Sequence, residues 1–201
     1  MPTYKLKYFQ SKGRAEVCRL LFALAGQEYE DIRYSQDEWK TEKSKTPFGQ
    51  LPVLEINGEP YGQSSGIIAF LAREFGIHGK TSLEQLKVDQ VMGIIQDIYT
   101  HMLKHFYEKD PAKQAEILKE NNKDHYPKYL GFFESILKKN GSGFFVGNRI
   151  TLADIAVFDT LDGKIDASLV ESFPLIKENC KKVRANEKIA QWLDKRPKTA
   201  Y

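Results

Sequence analysis

Residues 3 to 9 alternate Tyr4, Leu6 and Tyr8 against Lys5 and Lys7, the period of a half-buried strand. Ser11, Lys12 and Gly13 turn the chain into a stretch, 14–25, that is apolar most of the way round and predicts a helix laid on a sheet, stopped by Gly26. A weaker strand is expected over 29–34, then a short polar helix over 37–45 carrying Trp39. An apolar run returns over 52–56, and Asn57-Gly58 after it supplies the positive φ angles of a tight hairpin, so two antiparallel strands are expected there. Gln63, Ser64 and Ser65 precede helical spacing through Ile67, Ile68, Leu71 and Phe75, with a serine as the expected N-cap and Gly76 past the end. This order of elements completes a small α/β domain over residues 1–78.

Beyond Gly79 and Lys80 every segment has helical spacing, which predicts an all-helical domain over 82–201. Ser82 with Gln85 has capping-box spacing, and Leu83, Leu86, Val91, Ile94, Ile95, Ile98, Met102 and Phe106 form one apolar stripe. Asp110 and Pro111 restart a helix, Pro127 should bend or split it, and Gly141 should end it. Thr151 and Asp154 form a capping pair for the next helix, and two more are expected over 174–184 and 187–195.

Composition narrows the function without naming it. Of 201 residues, 41% are hydrophobic, 28% charged and 12% aromatic, values of a folded chain and not of a disordered one. Thirty basic and 27 acidic side chains are interspersed to a net charge of +3, so no long face of one sign follows a phosphate backbone, and nucleic-acid binding is disfavoured. No stretch approaches the ~18 consecutive apolar residues of a membrane span, and the N-terminus lacks a signal-peptide core, so a cytoplasmic protein without a membrane partner is expected. Cys18 and Cys180 are far apart and outside any CxxC or Cys/His spacing, which reads as two small buried apolar groups. His101 and His105 share a helix face at i, i+4, but without an HExxH glutamate or a third ligand no metal is expected.

Four separated motifs carry a family resemblance. The opening YKLKYFQSKGRAEVCRLLFA and the segment TPFGQLPVLEINGE are similar to those of soluble glutathione transferases of the sigma class, which include the haematopoietic prostaglandin D synthases. QSSGIIAFLAREFG and RITLADIAVFD resemble later segments of the same proteins, so the likeness covers the whole chain. It implies a thioredoxin-like α/β N-terminal domain, an all-α C-terminal domain, a homodimer, and glutathione as co-substrate. The reaction it implies is conjugation of glutathione to small hydrophobic electrophiles, with peroxidase or prostaglandin H2-to-D2 isomerase side activities. Lens S-crystallins, structural proteins of the same fold, and carriers of hydrophobic ligands are the alternatives.

The chemistry of that reaction explains why these residue types are needed. A thiol with a pKa of about 8.5 is mostly protonated at neutral pH, so the site must favour the thiolate. A phenol aimed at the sulfur does this by donating to the anion, and the resemblance puts Tyr8 in that role, with Arg14 orienting it and adding positive potential. Tyr4, nearer the strand's start, reads as packing, and Ser11 is the alternative sulfur donor.

Glutathione also brings two carboxylates and an ammonium. The resemblance places a cis peptide between Leu51 and Pro52, with the Leu51 backbone pairing with the cysteinyl unit. Gln63 and Ser64, at a helix N-terminus, would take the γ-glutamyl carboxylate. Trp39 and Lys43 would hold the glycyl carboxylate, with Gln50 nearby; read alone, they are a buried aromatic and a solvated charge. Asp97 would reach across the dimer to the γ-glutamyl ammonium. The electrophile would lie against Phe9, Arg14, Tyr99 and Lys104, the last replacing a tryptophan of the prostaglandin D synthases. Those relatives offer three aspartates per chain to a cation at the dimer axis, whereas the matching positions here are Gly93, Gln96 and Asp97.

Overall fold

The computed structural model describes residues 2–199. Met1, Ala200 and Tyr201, at the outer ends of the two domains expected from sequence, lie outside the described residues. The chain forms two compact units, one running to Ile77 and joined by the segment from Asn186 onward, the other His78–Ala185.

In the first unit β1 (Tyr4–Phe9), β2 (Glu30–Tyr34), β3 (Val53–Ile56) and β4 (Glu59–Tyr61) form a sheet of order β2-β1-β3-β4. β1 pairs parallel with β2 and antiparallel with β3. The alternation in β1 works as expected: Tyr4 and Leu6 are buried, while Lys7 on the opposite face holds Glu55 at 2.7 Å. The hairpin turns on Asn57 at φ 51° and Gly58 at φ 89°, the two positive angles its dipeptide supplies. Helix α1 (Glu16–Ala25) lays Val17, Leu20, Leu21 and Phe22 into the core and stops at Gly26, at φ 70°. α2 (Gln36–Glu42) is capped by Ser35, which accepts from Glu38 N–H, and continues into a single 3₁₀ turn, Lys43–Lys45.

Two expectations are corrected at helix starts. α3 (Ser64–Glu74) is preceded not by a serine cap but by Gln63, at φ 70° and ψ 102°, with no side-chain cap. Ser64 is already helical, so its hydroxyl is a residue too late to cap. α4 (Ser82–Tyr107) is capped by Thr81, whose hydroxyl accepts from Glu84 N–H at 3.2 Å, while Glu84 reaches back to Lys80 N–H at 2.7 Å. The cap thus lies one residue before the expected Ser82, and Gln85 bonds the Gly79 carbonyl instead.

The second unit is built of helices joined by loops, with no strand among its described residues. The stripe expected on α4 divides: Val91, Ile95 and Ile98 are buried together with Val88, while Leu83, Leu86 and Phe106 are exposed. α5 (Pro111–Glu120) starts at Asp110, which accepts from Ala112 N–H. It passes through a π-helical turn, Asn121–His125, into α6 (Tyr126–Asn140). The split before Pro127 follows from the missing proline N–H, which removes one rung of the ladder. α7 (Leu152–Leu161) is buried on nearly every side; α8 (Ala167–Val170), too short to show a period, was not expected; α9 (Pro174–Arg184) follows.

The last helix, α10 (Glu187–Lys195), packs on α1 and groups with the first compact unit. The reason is a buried carboxylate: Glu16 on α1 accepts from Trp192 Nε1 and Arg196 Nη1, both at 2.9 Å. Helical spacing in 187–195 gave the element but not its neighbour.

Neither cysteine forms a disulfide. Cys18 is fully buried, and burial pushes the Cys180 thiol up to about 12. Iodoacetamide at pH 8 should therefore leave native protein essentially unlabelled over an hour and label both thiols once it is unfolded, as mass spectrometry would read. Rapid native labelling of Cys180 would contradict this environment.

Candidate active site

Tyr8 stands near the end of β1, half-buried, in register with Arg33 of β2. On its other side Lys7 pairs with Val53, and one further step along that register sets Pro52 opposite Tyr8. The Leu51–Pro52 peptide is cis. The loop that follows β1 folds back over the phenol. Arg14 N–H donates to Tyr8 Oη at 3.1 Å, and a Cβ built on Gly13, which sits at φ 42°, would lie 2.4 Å from that oxygen. Only glycine lets the main chain come this near the ring, so the turn read from Ser11, Lys12 and Gly13 is also the seat of the phenol. An oxygen that already accepts from a main-chain N–H keeps its own proton to donate elsewhere.

Arg14 thus gives Tyr8 a main-chain hydrogen bond. A second guanidinium, unforeseen, lies near: Arg19, wholly buried, has its carbon 5.9 Å from the Tyr8 ring centre. It binds Glu16 and Asp31, and it donates to the Ser11 carbonyl at 2.8 Å. Burial works against the charged form of Glu16, but hydrogen bonds from Trp192 and Arg196 and the charge of Arg19 outweigh it and hold its carboxyl below the ordinary range. The signal in the sequence was two charges inside an otherwise apolar helix, EVCRLLFALA.

Aromatic rings continue from Tyr8. Phe9 meets Tyr8 edge-on at 5.6 Å and Trp39 at 5.8 Å, and Trp39 also stacks beside Tyr34. Lys43 follows Trp39 by one turn, its N–H donating to the Trp39 carbonyl, and its stem lies against Gly49, next to Gln50. Phe48 packs over Gly62, just before Gln63. Ser64 and the residues after it begin α3 with no side-chain cap, leaving N–H groups of the first turn for another acceptor.

Tyr8, Phe9, Arg14, Trp39, Lys43, Gln50, Leu51, Pro52, Gln63 and Ser64 all belong to the first unit. Asp97, Tyr99 and Lys104 belong to the second, on α4. Asp97 and Lys104 are exposed, as are Gly93 and Gln96. Tyr99 is half-buried and accepts from Lys164 Nζ at 3.0 Å, while Lys164 pairs with the buried Asp159 at 2.5 Å. Burial disfavours the Lys164 charge, yet Asp159 outweighs it and raises the ammonium pKa. The sequence reading missed this pair, although Asp159 is a charge in the apolar run LADIAVFDTL.

His101 and His105 do not converge. His101 stacks on His125 at 3.8 Å and lies 3.4 Å from Tyr129 Oη, and His105 Nδ1 lies 3.1 Å from the Gln114 carbonyl. Among the described residues no cluster of three metal-ligating side chains is found.

Family models match both parts of the chain: the glutathione S-transferase N-terminal domain over residues 4–73 and the C-terminal domain over 96–196. The chain belongs to the glutathione S-transferase family. It is 39% identical to probable glutathione S-transferase 8 of Caenorhabditis elegans, with all of both chains covered. It is 37% identical to S-crystallin SL11 of Nototodarus sloanii over the same full extent. Among solved structures, a monomeric glutathione S-transferase of Necator americanus is 37% identical, covers 99% of this chain and all of its own, and superposes with a TM-score of 0.88. Prostaglandin synthase D of Nilaparvata lugens gives 0.91 at 31% identity, over 98% of this chain and all of that one. The thioredoxin-like sheet and helical second unit are those of the family, and glutathione is the family's co-substrate.

Proposed function

We propose that this transferase joins the glutathione sulfur to small hydrophobic electrophiles in the cytoplasm, as a sigma-type enzyme of detoxification acting as a homodimer. The observation that carries the proposal is the Tyr8 hydroxyl, whose oxygen is held by Arg14 N–H, so that its proton is left to bond a thiolate. Tyr8 and Arg14 are the catalytic pair. The Leu51 main chain beside Pro52 binds the cysteinyl unit, Gln63 and Ser64 the γ-glutamyl carboxylate, and Trp39, Lys43 and Gln50 the glycyl end. The uncapped start of α3 supports the second of these assignments, because main-chain N–H groups and the helix dipole favour a carboxylate there. Phe9 and Arg14 face the electrophile from the first unit. The thiol gives its proton to solvent, sulfur forms the new C–S bond, and in a substitution the leaving group departs with its electron pair.

Retention on glutathione-agarose followed by conjugation of a chlorinated dinitrobenzene tests the proposal. Retention with turnover is expected. Retention without turnover would favour a role like that of the S-crystallin relative, and no retention would defeat both readings.

The homodimer reading rests on α4, where Leu83 and Leu86 stand exposed on the face that continues through Gly93 to Asp97. An aspartate that crosses to the partner's glutathione ammonium is worth about 1–3 kcal/mol of binding. Asp97→Ala should weaken glutathione by that amount in titration calorimetry while the protein stays dimeric. A monomeric wild type in solution scattering would remove the basis for this assignment.

A further inference from the structure

We propose that Arg19 is a positioning residue of the thiolate site, a buried guanidinium whose charge is held against the Tyr8 ring by Glu16 and Asp31. The inference rests on the reading of Tyr8 given above and adds a group that does not touch the substrate.

Three observations carry it. First, Arg19 is wholly buried, and its donors are assigned: Nε to Asp31 at 3.1 Å, Nη1 to the Ser11 carbonyl at 2.8 Å and to Glu16 at 3.2 Å. Nη2 has no hydrogen-bond partner among the described residues. The nearby acceptor left to the guanidinium is the π face of Tyr8, whose centre is 5.9 Å from the guanidinium carbon, inside the range of cation–π attraction. Second, the Ser11 carbonyl belongs to the loop whose next residues, Gly13 and Arg14, seat the phenol, so Arg19 fixes that loop as well as facing the ring.

Third, each carboxylate of the cluster also holds a second guanidinium. Asp31 also binds Arg33 at 2.8 Å and Glu16 binds Arg196 at 2.9 Å, so Arg19 is not needed to neutralise either one and its charge is free to act on the ring. The Tyr29 hydroxyl also faces it, and burial and Asp31 keep that phenol protonated. A positive charge behind the phenol makes it a stronger donor and favours an anion in front of it. Trp192 and Arg196 reach Glu16 from the far end of the chain, so α10 stabilises the same arrangement.

The test uses the sign of the charge. The titrating quantity is the thiol of bound glutathione, followed by thiolate ultraviolet absorbance of the binary complex, with steady-state conjugation measured beside it. Arg19→Met removes one positive charge and leaves Glu16 with Arg196 and Asp31 with Arg33, so each carboxylate keeps a cationic partner. It should raise the apparent pKa of the bound thiol by about 0.5–1 and lower kcat about three- to tenfold at pH 6.5, with KM for glutathione within about twofold. Glu16→Gln keeps the shape and removes a negative charge, so it should move the pKa down. A merely structural role would give loss of activity in both variants without opposite pKa shifts. Should either buried variant fail to fold, Arg196→Met, at the partly exposed edge of the cluster, should raise the pKa in its place. Shifts of the same direction in Arg19→Met and Glu16→Gln, or no shift in the variants that fold, would overturn the inference. Tyr8→Phe is the control: if it raises the pKa and the charge variants do nothing, this inference alone fails, and if it too does nothing, the reading of Tyr8 falls and this inference with it.

Discussion

Tyr8→Phe should bind glutathione within a few fold of the wild type yet lower turnover about ten- to a hundredfold, because the one bond that bound glutathione loses is that made to its ionised sulfur. One hydrogen bond to a charged group is worth about 1.5–3 kcal/mol, which is roughly one to two pKa units of the bound thiol. The sign of the pH dependence follows. Below the wild-type thiol pKa both enzymes are mostly thiol, and the variant is slower by the full ratio. As pH rises past the variant's own pKa its sulfur ionises unaided, and the difference shrinks to that in the thiolates' reactivity. The ring stays, so its contacts with Phe9 and the close approach of Gly13 are preserved, and only the acceptor for Arg14 N–H is lost. A pH–rate profile of kcat with unchanged midpoint, or a variant as slow at high pH as at low, would show that the phenol is not what ionises the thiol.

The parts of this fold that the sequence made legible are those set by neighbours in the chain. The hairpin is an example: Asn57-Gly58 tolerates positive φ at both positions, and nothing distant is needed to make it turn. Helix ends at Gly26 and Gly141 are of the same kind, both in the left-handed region. Tyr8 was legible because motifs around it resemble a family, since a tyrosine near the end of a strand has no distinguishing local pattern. What stayed hidden depends on partners far along the chain. Gln63 at φ 70° is held by its surroundings and not by its own preference, so the local rule that favours serine as cap chose wrongly. Glu16 and Arg19 were not singled out, because the residues that bind them come from β2, from α10 and from Arg196 just past it. The α4 stripe was read as a single face because hydrophobic spacing does not distinguish positions that face the core from positions, such as Leu83 and Leu86, that do not.

Asp154→Ala should be the most destabilising of these substitutions, at about 3–5 kcal/mol, against the roughly 5–15 kcal/mol that a folded domain commonly has. Its carboxylate is wholly buried and accepts from four donors that come from three places in the second unit. Oδ1 takes Phe145 N–H at 3.0 Å and Asn179 Nδ2 at 2.7 Å, while Oδ2 takes Thr151 N–H and Thr151 Oγ1, both at 2.8 Å. One side chain therefore starts α7, anchors the loop that precedes it and ties that loop to α9. Alanine removes the helix cap and leaves buried donors without this acceptor, each at a cost of about 1–3 kcal/mol that need not add fully. Asp154→Asn keeps one oxygen but turns an amide N–H₂ toward donors, so it should fall between the wild type and alanine. Urea unfolding should show the midpoint drop in that order. The thiolate chemistry assigned to Tyr8 belongs to the first unit, so the folded fraction of each variant should conjugate with nearly the wild-type KM for glutathione. A loss below about 1 kcal/mol for alanine would mean that water or a rearranged Thr151 replaces the carboxylate, and the capping pair would then be a local feature and not the tie between three segments.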